Sequence, residues 1–304
     1  MPKTAAISDQ ELGILALAAA GKRGWFFGHV GAGLLALDAL KETHTQDELA
    51  PAIAEYRTRS FKFIDDCGQT RWLEDSGPEV DDWRTKLGIL AEPLFQELRN
   101  SGHGTIYFMW AARVFSSAPA LATNDVISGL GDLFKVALVQ DDNRYYGIAD
   151  HPREKVSPLP EDITTDALIE HTLLNAVPTF KDAPGDERTW FFSGSKIHIL
   201  TYLHAVLELG RLGFTEYSKK GLQLWHRHEV LYTKMLANAE RDIEKQSFEK
   251  MDAFEPKPDF FATLYQDPHA YKYLAAAEDL LTKHYQGPNS ELAEPVQKAL
   301  NVFS

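Results

Sequence analysis

The stretch TWFFSGSKIHILTYLHAVLEL, Thr189 to Leu209, decides the fold class: it is apolar over most of a helical surface and still carries two histidines. Ser193 or Ser195 can cap its start, and Ile197, Ile199, Leu200, Leu203, Val206 and Leu207 leave little polar face. At about 100° per residue, His198 and His204 lie roughly 120° apart around the axis with Thr201 between them, so both can line one inner wall of a bundle. A buried imidazole needs a hydrogen-bond partner or a metal ion, which the rest of the chain has to supply.

Upstream, Ser8-Asp9-Gln10-Glu11 reads as a capped start, followed by a short helix over Glu11–Ala20 that stops at Gly21. Gly24–Leu40, GWFFGHVGAGLLALDAL, is a second apolar helix and holds His29. No strand precedes its glycines at 28, 31 and 33, and no acidic residue follows at nucleotide-fold spacing; close helix packing or room for a flat ligand explains them. Further helices are predicted over Gln46–Phe63, Ile89–Leu98, an aromatic segment TIYFMWAARVF that follows Gly102-His103-Gly104, Asn124–Leu138 and Thr164–Asn175. Asp65–Trp83 is polar and loop-like. Downstream, Gly213–Ser247 is a long charged helix, whose His226-Arg227-His228-Glu229 reads as solvated surface because adjacent i, i+2 side chains point to different faces. The last helix, opened by Asp267-Pro268-His269, sets His269 and Lys272 on one face, with Lys272 expected to point inward. Alternating strand patterns are scarce. The chain therefore reads as all-α, one large multi-helix domain over residues 1–304 enclosing a histidine-lined pocket, with a weak internal boundary near 141–160.

Composition narrows the partners. Lys plus Arg number 31 against 44 Asp plus Glu, a net charge of −13 that repels phosphate backbones and anionic lipid surfaces, so neither nucleic acid nor membrane is expected. Cys67 is the single cysteine, which excludes an intrachain disulfide and a cysteine zinc cluster and suits a reducing cytoplasm. The apolar run Leu12–Ala20 is too short to span a bilayer and is wrongly flanked for a secretory signal. Nothing in the sequence sets an oligomeric state.

Four apolar segments each bring histidine. In GHVGAGLLALDAL, His29 stands where a known motif has Asn-His followed by a His-His pair, here Ala32 and Gly33. HGTIY matches His-Pro-x-Ile-His, keeping His103 and Ile106 but giving Tyr107 for the later histidine. A Lys-x-His-x-x-Thr-x-x-His-Ala run is kept in full as Lys196, His198, Thr201, His204 and Ala205, and His-x-x-Lys as His269 and Lys272. In this order the segments resemble the questin oxidase-like family, mostly helical oxygenases of polycyclic phenols.

The resemblance implies a non-haem iron held by His29, His103, His198, His204, His269 and Lys272, the lysine as a carbamate. Neutral imidazoles suit iron, and a buried lysine whose pKa falls keeps a free amine able to take up carbon dioxide. It further implies dioxygen as co-substrate and a small aromatic polyketide-type phenol, hydroquinone or anthraquinone as substrate, attacked by ring cleavage or Baeyer-Villiger-type oxygen insertion. His198, His204, Tyr107 and Thr201 are the catalytic candidates, and Trp110, Tyr202 and Phe108 the substrate contacts, within a wider set of aromatics that includes Trp25, Phe26, Phe27, Trp190, Phe191 and Phe192. A metal-free variant would use the histidines as general bases. Outside oxygenases stand a non-catalytic helical binder of an aromatic metabolite and an acid-base hydrolase or cyclase; neither a Gly-x-Ser-x-Gly elbow nor a His-Glu-x-x-His motif is present.

Overall fold

The chain begins its first helix where the sequence carries a cap: Ser8 Oγ accepts the Glu11 N–H at 3.1 Å and α1 runs Asp9–Ala19. The computed structural model describes residues 7–139, 145–175, 193–242, 268–287 and 292. The expected cap at Ser193 or Ser195 and the aromatics Trp190, Phe191 and Phe192 fall outside the residues whose side chains are described. After α1 come α2 (Gly28–Leu40), α3 (Gln46–Asp66), α4 (Trp83–Ala91), α5 (His103–Ser117), α6 (Asn124–Val139), α7 (Thr165–Leu174), α8 (Ser193–Arg211), α9 (Thr215–Asp242) and α10 (His269–Asp279). Among the described residues there is no strand, only an isolated bridge between Glu79 and Thr123, so the fold is all-α.

Local chemistry explains most boundaries. α3 opens on a reciprocal capping box, Thr45 N–H to Glu48 Oε2 at 2.9 Å and Glu48 N–H to Thr45 Oγ1 at 3.4 Å. Thr164 caps α7 by accepting the Ala167 N–H at 3.2 Å. Two expectations shift. The helix over Gly24–Leu40 starts at Gly28, after a 3₁₀ turn Trp25–Phe27. The helix expected over Ile89–Leu98 begins earlier, at Trp83, and gives way to a 3₁₀ turn at Glu92–Phe95, where Pro93 has no N–H to continue the α ladder.

α1 is buried on every side, with Leu12, Ile14, Leu15 and Leu17 each no more than 2% exposed, and each such side chain contributes about 1.5–3 kcal/mol. It packs on α2 at backbone contact: a Cβ at Gly31 would come within 2.4 Å of Leu17 N, so the glycines of this helix serve packing. Around this base, α2 packs on α5, α5 on α8, α8 on α10 and α10 back on α2. The ring joins helices from both sides of the 141–160 connection. No helix among the described residues is long and apolar enough to cross a membrane.

The charged helix α9 departs from expectation. His226 and Arg227 are partly exposed, but His228 is buried at 1% and hydrogen-bonded through Nδ1 to Tyr145 Oη. The polar connection after residue 145 covers this face: Arg227 donates to the carbonyls of Glu154 at 2.9 Å and Pro152 at 3.2 Å. His228 is thus no surface residue, because a loop distant in sequence lies over its side of the helix.

Candidate metal centre

Each helix of the ring brings one histidine to a single point. His29 is the second residue of α2, while His103 and His269 are the first residues of α5 and α10; His198 lies on the inner wall of α8. One nitrogen from each of these four lies within 4.8 Å of the others, and among the described residues no carboxylate or thiol joins the group. The Nε2 atoms form a chain of close contacts: His269 to His29 at 2.9 Å, His29 to His103 at 3.0 Å and His103 to His198 at 3.0 Å. His29, His103 and His198 are buried and His269 is partly so.

The outer nitrogens decide what these contacts are. His29 Nδ1 donates to Phe26 O at 2.6 Å and His103 Nδ1 donates to Asn100 O at 2.5 Å. A carbonyl can only accept, so both Nδ1 atoms carry the proton; this hydrogen-bond network assigns the tautomer. Burial first, and then the charge of Lys272, hold the imidazolium forms of His29 and His103 well below the usual range, so both rings are neutral at pH 7. The positive ends of the α2 and α5 dipoles act in the same direction. Each ring then turns a bare Nε2 lone pair inward, and the 3.0 Å contact between His29 and His103 has a lone pair on both sides. Two lone pairs repel unless a cation lies between them. The spacings match the roughly 3.0 Å expected between cis imidazole nitrogens about 2.1 Å from one ion, and imidazole is a suitable ligand for iron, copper, nickel or zinc. The four histidines therefore form a site fit for a metal ion or for histidine-based acid-base chemistry.

Tyr107 is fully buried; its hydroxyl donates to Trp25 O at 3.1 Å, and its oxygen lies 3.0 Å from His29 Nδ1. Burial pushes its phenol well above the usual value, so it stays protonated. Lys272 is 2% exposed and points inward, near enough for its charge to act on His29 and His103. The Trp25 ring lies 4.7 Å from that of His103, and Phe26 4.7 Å from His29, with Phe26 58% exposed.

Other candidates lie elsewhere. His204, six residues beyond His198 on α8, does not join the four. Its Nε2 donates to Asp279 Oδ2 at 3.1 Å, inside a second cluster in which Arg113 and Lys283 also hold Asp279, Lys283 at 2.8 Å. Beside it, Arg211 grips Glu208 through two hydrogen bonds of 2.6 Å, and His284 reaches the same carboxylate at 3.3 Å. Burial alone would raise the Asp279 and Glu208 carboxyls, but the His204 and Arg211 hydrogen bonds and the surrounding cations hold both far below the usual range. Thr201 Oγ1 donates to Ile197 O at 3.1 Å, within its own helix. Phe108 packs among Phe95, Phe134, Phe214 and Tyr217; Trp110 lies under Arg113 beside His204; Tyr202 covers Gly102. Sequence reasoning passed over Asn100, whose carbonyl holds His103. Its signal was Asn-Ser-Gly immediately before His103, a triplet rich in residues that tolerate left-handed backbone.

Comparison with known proteins adds no relative: no protein-family model, curated protein or solved structure matches the chain.

Proposed function

We propose that this protein is a metal-dependent oxygenase of small electron-rich aromatics, with His29, His103, His198 and His269 binding the ion through Nε2. One observation carries the metal: the facing Nε2 lone pairs of His29 and His103, each fixed by a carbonyl behind the ring. The oxygenase class rests on the motifs shared with the questin oxidase-like family, of which His29, His103, His198 and His269 are the members that meet in space. Iron held by these nitrogens supplies the one-electron chemistry that dioxygen activation needs.

The protein's own groups do the rest. The carbonyls of Phe26 and Asn100, with Tyr107, hold two imidazoles in the ligating tautomer. Trp25 and Phe26 stand against the outer faces of His103 and His29, where a planar ring can stack and displace water. A bare ammonium beside a divalent ion is unfavourable, so in this reading Lys272 is neutral, as the amine or as the carbamate that adds an oxygen donor and a negative charge.

Elemental analysis of the purified protein followed by oxygen uptake with an anthraquinone-type hydroquinone tests this. About one equivalent of iron per chain with uptake that stops on chelation is the expected result. Uptake without any metal would replace it by the histidine-base route, and metal without uptake by a structural site.

A further inference from the structure

α5 is entered through a turn that L-residues rarely adopt. Asn100, Ser101 and Gly102 have φ of 49°, 52° and 83°, three left-handed residues in succession, two of which carry a Cβ. Left-handed conformers normally occur singly, because each non-glycine residue there crowds its own carbonyl. A helix beginning at residue 103 could have used an extended Ser, Thr or Asp as its cap; instead Gly102 occupies that place and no side chain caps the helix. Such outliers persist where the surroundings over-determine them, and they concentrate at functional sites.

Here the surroundings are explicit. The turn swings the Asn100 carbonyl back over the first residue of α5, where it accepts the His103 Nδ1 proton at 2.5 Å. Asn100 is itself 2% exposed, and its side-chain amide donates to Ala137 O at 2.7 Å, tying the turn to the last part of α6. On the opposite side lies Tyr202 of α8: a Cβ at Gly102 would sit 2.1 Å from the Tyr202 ring. The helix that carries His198 therefore packs directly on the turn that aims His103.

We propose that Asn100–Gly102 is the positioning device of the metal centre, with Asn100 the positioning residue: it holds His103 in the Nδ1–H tautomer and points Nε2 at His29 and His198. This rests on the metal reading. The strained turn exists to place a carbonyl behind a ligand, which a relaxed cap would not do.

The test uses Co²⁺ as probe on the full-length protein, with ¹⁵N-histidine NMR of the metal-free form alongside. Asn100→Ala removes both the amide anchor and the tolerance for left-handed backbone; its Co²⁺ affinity should fall about 10–100-fold, with an altered visible spectrum and loss of the Nδ1–H preference at His103. Ser101→Gly relieves crowding while leaving both Asn100 hydrogen bonds, so it should keep the Co²⁺ affinity within about twofold. Ile64→Val in α3 serves as a stability control and should bind Co²⁺ as wild type does. Wild-type affinity in Asn100→Ala, or an equal loss in the control, overturns the proposal. If wild type binds no Co²⁺ the metal reading fails, and the His103 tautomer still decides: unchanged in Asn100→Ala, it overturns the role of the turn as well.

Discussion

Two groups of buried histidine are built on the same pair of helices, α8 and α10, and they solve opposite problems. At one end His198 and His269 meet His29 and His103, imidazole against imidazole, with no carboxylate in the group among the described residues. About 9 Å along α8, His204 meets Asp279, and His284 meets Glu208, each carboxylate held by arginine or lysine. A carboxylate neighbour gives an imidazole a place for its proton and leaves no need for a ligand. Without one, the proton is sent outward to a backbone carbonyl and the lone pair is turned inward, where a cation could be held. The same residue type is thus paired with carboxylates in one place and gathered into a group that could hold a metal ion in the other.

The comparison is broken most sharply by truncation. His103→Ala should lose bound metal completely by elemental analysis, whereas His204→Ala should keep about one equivalent; loss of metal in His204→Ala would merge the two groups. Next in size is the carboxylate. Asp279→Ala leaves Arg113, Lys283 and His204 without their shared partner and should cost about 3–5 kcal/mol in urea unfolding. His204→Ala should cost only about 1–3 kcal/mol. If the two losses are equal, Asp279 is not the hub of that network.

Acid separates the groups more gently. In metal-free protein the folded pKa values of His29 and His103 lie below their usual 6.5, so the unfolded chain takes up these protons first. Their contribution to stability is present above about pH 6.5 and declines as the pH falls below it. Asp279 and Glu208 are depressed carboxyls, whose contribution holds down to about pH 4 and is lost below that. Denaturant unfolding against pH should show two descending steps; Asp279→Asn should reduce the lower step alone. The smallest effect expected is that of Thr201→Val, whose hydroxyl serves only its own helix: stability within about 0.5 kcal/mol and unchanged metal content. A large loss of turnover there would return Thr201 to the reacting groups.

Much of the fold was legible because its signals are local. Ser8, the Thr45/Glu48 pair and Thr164 are caps in the sequence and caps in the structure. The apolar spacing around His269 and Lys272 turns that face inward, and Lys272 is indeed buried. Less legible was anything a distant segment decides. His228 reads as surface from its own helix and is covered by residues 145–154.

The sequence by itself determined an all-α chain and the apolar segments that bear histidine, since helical period, caps and hydrophobic faces are written over a few neighbouring residues. Which histidines meet was decided only in the tertiary structure. His198 and His204 are both buried in an apolar setting, and the five residues between them carry no information about what faces each. Only the closing of α2, α5, α8 and α10 into a ring opposes one to three imidazoles and the other to Asp279. The physical reason is range: periodicity says which side of a helix faces the core, while a ligand set depends on contacts between residues 74 to 240 positions apart.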